Sequence, residues 1–260
     1  MRETVDNDRQ VEPVSLEALR TQTNDPFLRW SVPDSGFLGA WRVGDSFAVA
    51  RTRGLRMVMP APWVLMLGEP AEVAALVEEV PRSLGASPGG VTVSAAAYPV
   101  LPADQWGLSV RGRWDYLITS SAPAAAQDVL VHEVDDFEAI NGLLDAANSD
   151  AHVRPGEPRI HSWLGVTDEQ GLACVGALTV TENGGGHLRG ITTAHRVRRQ
   201  GLGWAVSAAL TVRGLRDVSP EVTLGVYSDN AAAVALYSRL GYHRVHRLVS
   251  SAADPAKRPA

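Results

Sequence analysis

The sequence predicts an α/β chain (α+β) of two domains, each a mixed, mostly antiparallel twisted sheet flanked by helices, on three observations. Strand-period and helix-period apolar segments alternate through the second half. A glycine-bearing turn, Gly201-Leu202-Gly203, separates a strand pattern from a helix pattern. A similar order of elements recurs in the first half, beyond a small, uncharged, proline-containing seam at residues 120–127. The expected domains are therefore 1–122 and 128–252. One continuous α+β domain is the alternative, because strand–helix alternation is common.

The first half reads as a helix at 15–21, strands at 39–43, 46–51 and 63–67, a helix at 71–84, and strands at 91–95 and 114–119. After the seam come a strand at 129–134 and a helix from Asp135 or Asp136 to about 148. Phe137, Ile140, Leu143 and Leu144 share one face of that helix. Strands at 160–166 and 172–180 are joined by a turn at 168–171, and glycines 184–186 lead into a strand at 188–193. A helix follows from Leu202 to about Leu215, then a strand at 222–227. Asp229 or Asn230 caps the next helix, which Gly241 stops, and a strand at 242–249 precedes a tail expected to fray.

Of 260 residues, 45% are apolar and 20% charged, enough to build real cores. No segment approaches the roughly 20 apolar residues that span a bilayer. The first six residues are polar and lack the apolar core of a signal peptide. A single cysteine, Cys174, excludes an internal disulfide and fits a reducing compartment, so a soluble cytoplasmic protein without a membrane partner is expected. The net charge of −5 argues against a nucleic-acid partner. Against that background Arg196, Arg198 and Arg199 suggest a small anionic ligand, or else a solvated charged turn. Cys174 reads as a small core residue. His161, His187 and His195 have no metal spacing, and no metal is expected. Trp30, Trp41, Trp63, Trp106 and Trp114 are expected to fill the first half's core, the alternative being that some line an acceptor groove between domains.

A strand, a glycine turn and a helix can together hold an anion, because the first helical turn has free N–H groups and a partial positive charge. Gly201 and Gly203 remove blocking side chains and permit positive φ angles, while Arg198 and Arg199 add charge at the same mouth. No Lys-Ser or Lys-Thr follows, which excludes a nucleotide-triphosphate P-loop, and the three-glycine dinucleotide spacing is missing. Downstream, Asn230 can both cap a helix and meet a ligand. Tyr237, seven residues on, projects from the same helix face. Its hydroxyl suits protonation of a leaving thiolate, the alternative being a core aromatic with its hydroxyl at the rim.

The pattern Arg-x-x-Gly-x-Gly, then helix, strand and Asn-x-x-Ala-x-x-Leu-Tyr-x-x-x-Gly-Tyr, resembles the GNAT superfamily of N-acetyltransferases over roughly 129–250. The first half resembles the degenerate partner of tandem GNAT proteins, giving two GNAT-like domains. The resemblance implies acetyl-CoA as acyl donor, with pantetheine contacts at Ile191, Thr192 and Thr193. It implies pyrophosphate contacts at Arg199, Gln200, Gly201, Leu202, Gly203 and Trp204, with Arg198 beside them, a cofactor contact at Asn230, and Tyr237 as general acid. The implied reaction is direct attack of a primary amine, from a small molecule or peptide, on the thioester. A strand N–H near Thr193 would stabilise the oxyanion. Relatives that acetylate protein N-termini often carry a glutamate base five residues before the Asn, but Gly225 stands there. Glu133, Asp150 and Glu182 are the acids nearby in sequence. At the corresponding junction of the first half, Gly68-Glu69-Pro70 places a carboxylate on the helix dipole and removes a donor, so no coenzyme A site is expected there. A coenzyme A-binding regulatory protein without turnover is the alternative, and a homodimer is left open.

Overall fold

The computed structural model describes residues 10–52, 61–123 and 129–253. The polar first six residues, positions 124–127 of the seam and the tail from 254 lie outside the described residues. The chain divides into two compact units. One runs to Asp115 and adds Tyr227–Asp229 and the chain from His246 onward; the other comprises Tyr116–Val226 and Asn230–Val245.

In the first unit, β1 (Glu12–Val14) precedes helices α1 (Leu16–Thr23) and α2 (Pro26–Ser31). Ser15 caps α1 by accepting from the Ala18 N–H, and Asp25 caps α2 by accepting from Phe27 and Leu28. Then come β2 (Phe37–Val43), β3 (Ser46–Arg51), β4 (Trp63–Leu67), helix α3 (Pro70–Leu84), β5 (Gly90–Ser94) and β6 (Leu108–Thr119), whose first part, to Asp115, belongs here. The sheet order is β1-β2-β3-β4-β5-β12, with β12 spanning His243–Ala253. Strand pairs β1–β2, β2–β3, β3–β4 and β5–β12 are antiparallel, and β4 pairs parallel with β5. Helix α3 buries Val73, Leu76, Val77 and Val80, a stripe at 3.6-residue period, against Val64, Met66, Val91 and Val93. Each such side chain contributes about 1.5–3 kcal/mol by burial.

The second unit contains the end of β6, β7 (His132–Glu133), α4 (Phe137–Ala147), β8 (Ile160–Asp168), β9 (Gly171–Val180), β10 (Gly186–Thr193), α5 (Leu202–Asp217), β11 (Val222–Tyr227, to Val226) and α6 (Ala231–Arg239). Its sheet runs β6-β11-β10-β9-β8-β7, antiparallel from β10 to β7, with β10 and β11 parallel. One face carries α4, whose Ile140, Leu143 and Leu144 meet Trp163, Val175 and Ala177. The other carries α5 and α6, where Val206, Leu210 and Tyr237 meet Leu178, Leu188 and Leu224.

Three expectations change. The strand at 129–134 shrinks to two residues: His132 and Glu133 pair with Gly165 and Leu164, and beyond them the Val134 N–H reaches β8 at the Trp163 carbonyl, 3.0 Å away. Strand β6 begins at Leu108 rather than 114. The last strand, expected in the second domain, falls largely with the first unit from His246 on: Leu248–Ala252 pairs with β5, and Val249 enters the first core.

Candidate active site

The site is built where β10 and β11 part. They pair at three positions, Gly186↔Val222, His187↔Thr223 and Leu188↔Leu224, and no later pair joins them among the described residues. Strand β10 also bulges: its register with β9 breaks between Arg189↔Ala177 and Thr192↔Val175, with Gly190 at φ 62°. Past the bulge the Ala194 N–H donates to the Ala173 carbonyl at 2.8 Å. Backbone groups alternate along a strand, so the Thr193 N–H faces the other way, into the gap left by β11.

From Thr193 the chain makes a short 3₁₀ turn, His195–Val197, and reaches α5 through a loop with two left-handed residues, Arg199 (φ 65°) and Gly201 (φ 83°). Gly201 was expected to adopt such a φ, and Gly203 with it. Gly203 instead lies inside the first turn of α5, and Arg199 takes the second left-handed position. Left-handed residues near a helix start turn successive N–H groups toward one point. Gly201, at the N-cap, offers no side chain to the first turn, and no side chain caps it. A methyl group added at Gly203 would lie 3.4 Å from the Thr193 hydroxyl and 3.7 Å from Leu236, so its absence opens the floor of this cradle.

The three arginines divide their roles. Arg196 forks onto Asp168, with one N–O distance of 2.8 Å, and holds that carboxyl below its usual pKa. Arg198 donates to the carbonyls of Thr193 and Ala147, each at 3.3 Å, tying the loop to β10 and to the end of α4. His195 donates from Nε2 to the Ala146 carbonyl at 3.2 Å. Both side chains thus donate to the last carbonyls of a helix, and the positive charge of Arg198 suits the dipole there. Arg199 is exposed and makes no hydrogen bond or ion pair among the described residues, so its charge is available at the cradle.

Asn230 caps α6, its side-chain oxygen accepting from the Ala233 N–H at 3.1 Å. Tyr237 lies buried at the α5–α6 face, its ring edge-on to Tyr242 at 5.8 Å. Burial pushes its hydroxyl up to about 12, with neighbouring Ser207 opposing and Cys174 reinforcing the shift. Cys174 is a buried core residue as expected; its Sγ stands 3.2 Å from the Thr193 hydroxyl, and burial pushes the thiol up to about 11. Through these neighbours Thr193, Gly203, Cys174 and Tyr237 gather at one place.

The three acids separate. Glu133 sits on the edge strand β7 and pairs with Arg213 at 2.8 Å. Glu182 lies in the β9–β10 turn, at the far end of β10 from Thr193, and pairs with Arg159 at 2.8 Å. Asp150 belongs to the loop that opens with Asn148, whose Nδ2 donates to the Thr192 hydroxyl at 3.0 Å. That loop also lays Val153 over Gly190, where an added methyl group would meet it at 2.8 Å. Gly225 is exposed on β11. Sequence reasoning missed Asn148, Thr223 and Arg189 as neighbours of this region, since strand register and a helix-to-strand bond bring them there. Among the described residues no group of three or more His, Cys, Asp or Glu is placed to hold a metal ion. No helix among them is long and apolar enough to cross a membrane.

The corresponding junction of the first unit, β4 to α3, is filled. Strand β4 pairs with β5 from Trp63↔Gly90 to Met66↔Val93, almost its whole length. The Ser46 hydroxyl donates to the Glu72 carboxylate at 2.6 Å and accepts from the Glu69 N–H at 3.0 Å, while the Gly68 N–H donates to Ser94 at 3.1 Å.

Residues 164–249 match the family model described as FR47-like protein. Among solved structures, the chain is similar to a GCN5-related N-acetyltransferase from Kribbella flavida, 17% identical, covering 93% of this chain and 96% of that one at a TM-score of 0.50. It is also similar to a Drosophila protein solved by structural genomics, 13% identical, covering 93% and 98% at a TM-score of 0.56. No protein of curated function matches the sequence.

Proposed function

From a chain with an FR47-like C-terminal region and the fold of the GCN5-related N-acetyltransferases, we propose an acetyl-CoA-dependent N-acetyltransferase acting on a primary amine of a small molecule or peptide. The unit made of Tyr116–Val226 and Asn230–Val245 carries the chemistry, and the other unit is a partner without a cofactor site. The observation that carries this reading is the uncapped first turn of α5, flanked by left-handed Arg199 and Gly201, at the mouth of the β10–β11 gap.

That cradle fits a diphosphate. The first-turn N–H groups of Leu202, Gly203 and Trp204 converge on it, and Arg199 adds charge. Gln200 lines the loop between them. The backbone of Ile191–Thr193 binds the pantetheine amides, and Asn230 contacts the cofactor from the start of α6. Arg198 keeps the loop in place through Thr193 and Ala147. Bound acetyl-CoA supplies the thioester that the amine attacks. As the N–C bond forms and the C–S bond breaks, the Thr193 N–H stabilises the oxyanion, a contribution worth about 2.7–4 kcal/mol where a single donor has been removed. Tyr237 gives its proton to the departing thiolate. With its hydroxyl near 12 it stays protonated at neutral pH and is re-protonated readily. The proton lost by the amine passes to water or to Asp150, the acid on the loop bonded to Thr192.

One observation favours a second reading, a coenzyme A-binding protein without turnover: Gly225 leaves β11 without a carboxylate. Acetyl-CoA titration and free-thiol release across an amine panel separate the two. Binding with amine-dependent thiol release, slowed in Tyr237→Phe, supports the enzyme. Binding with no release from any amine supports the second reading, and no binding removes both.

A further inference from the structure

On the α4 face of β10, immediately beside the gap, stands an arginine that the reaction above does not use. Arg189 is in register with Ala177, which packs with α4 and pairs in turn with Trp163. Leu188, one residue earlier, enters the opposite core with Leu224. The Arg189 side chain therefore leaves from the α4 face, beneath the loop that carries Asp150, Val153 and Glu157. One more rung of the parallel ladder would bring Arg189 level with Gly225, whose missing side chain leaves that place open.

Among the described residues Arg189 forms no hydrogen bond and no ion pair. Arg159 and Arg154, by contrast, are matched with Glu182 and Asp145 at 2.8 and 2.7 Å. Glu157 acts on Arg189 only at longer range, and protein packed around the guanidinium lowers its pKa although the side chain remains open to solvent. His187, two residues earlier on the same face, is held neutral by burial and by the charge of Arg189, its pKa lowered to about 3. Its Nδ1 is 2.8 Å from Thr223 Oγ1, whose hydroxyl donates to the Gly186 carbonyl at 3.1 Å. Nδ1–H is thus the donor and Nε2 is left as an acceptor.

We propose that Arg189, with the place beside Gly225 left open, forms an anion-reading subsite that selects amine acceptors carrying a carboxylate. A guanidinium offers a planar set of five donors matched to a carboxylate, and it cannot shed its charge to escape an unpaired state. On a chain of net charge −5, such a cation does not belong to a general anion-attracting surface. Gly225 places no side chain level with Arg189, which leaves room there for a carboxylate brought by the acceptor. The inference rests on the acetyltransferase reading for the site it extends, but its binding step is separable from turnover.

The test is calorimetric titration of matched amines into the full chain saturated with coenzyme A: glycine against glycinamide, 4-aminobutyrate against 1-aminobutane, and phenylalanine against phenylethylamine. At least one pair is expected to show about tenfold tighter binding of the carboxylate member, with the preference lost in Arg189→Gln and partly kept in Arg189→Lys. Gly225→Glu, which supplies an internal partner, is expected to abolish the preference too, and serves where Arg189→Gln does not fold. Equal binding of the members of every pair, or a preference that survives both Arg189→Gln and Gly225→Glu, overturns the subsite. Thiol release from acetyl-CoA with the same amines distinguishes the two readings. Turnover without carboxylate preference removes the subsite and keeps the enzyme; preference without turnover does the reverse.

Discussion

The two strand-to-helix junctions, β4 to α3 and β10 to α5, are made of the same parts and reach opposite states. In the first, the strands stay zipped, proline removes one N–H of the helix start, and Ser46, Glu72 and Ser94 occupy what remains. In the second, the strands part after three rungs and the helix start keeps its donors uncapped. The difference teaches that an anion site is defined as much by what the protein leaves unsatisfied as by the charges it adds. Leaving donors free costs stability, which a folded unit tolerates when a ligand can supply the partner.

Importing the first junction into the second should have the largest effect. Gly201→Glu puts a carboxylate on the dipole and a side chain at a φ of 83°. Acetyl-CoA affinity measured by calorimetry is expected to fall about one hundredfold or more. Tyr237→Phe should instead leave that affinity in place and lower kcat by about one hundredfold, the lower end for a lost general acid. Equal losses in binding and turnover would show that the tyrosine acts through packing. Arg199→Ala, which removes the exposed charge but keeps the loop, should weaken acetyl-CoA about five- to tenfold, and raising the salt should shrink that gap.

The reverse exchange should give no function. Ser46→Ala strips the Glu69 N–H and the Glu72 carboxylate of their shared partner. A cost of about 1–3 kcal/mol in urea unfolding is expected, with no second acetyl-CoA site by stoichiometry.

The smallest effects concern pH. The folded chain keeps Cys174 and Tyr237 protonated up to about 11 and about 12, against ordinary values of 9.0 and 10.0. Between those limits the native state binds more protons than the unfolded one, so stability is intact below pH 9 and declines above it. His187 works in the other direction. Its pKa, lowered from 6.5 to about 3, gives stability that is present above 6.5 and is lost as the pH falls toward 3. Thermal unfolding across pH should show both limbs. His187→Gln should flatten the acid limb alone, and an unchanged acid limb would count against a neutral His187.

Much of this was legible before the fold. The left-handed Gly201 at the start of α5 and the strand at 222–227 rest on local rules and fell where turn chemistry and periodicity put them. Of the two candidate caps Asn230 is the one that accepts from the helix, whereas Gly203 joined the helix. The left-handed Arg199 was not legible, because the loop's tie through Arg198 to α4 fixes it, and no local preference does. Nor was Arg189, whose meaning depends on which β11 residue stands level with it. Register is set by whole-sheet packing and by a bulge that sequence does not announce.

The ownership of β12 carries a consequence for how the chain is made. A ribosome completes every residue from Tyr116 to Val245 before the segment that pairs with β5 and anchors His246 to Asp25 at 2.7 Å has emerged. The unit begun first is therefore finished last. Until then one edge of β5 stays bare, an invitation to wrong pairing that charged or proline-bearing edges elsewhere exist to prevent. A nascent chain released early, before His246, would carry an intact set of residues around the cradle beside a first unit still missing its final strand.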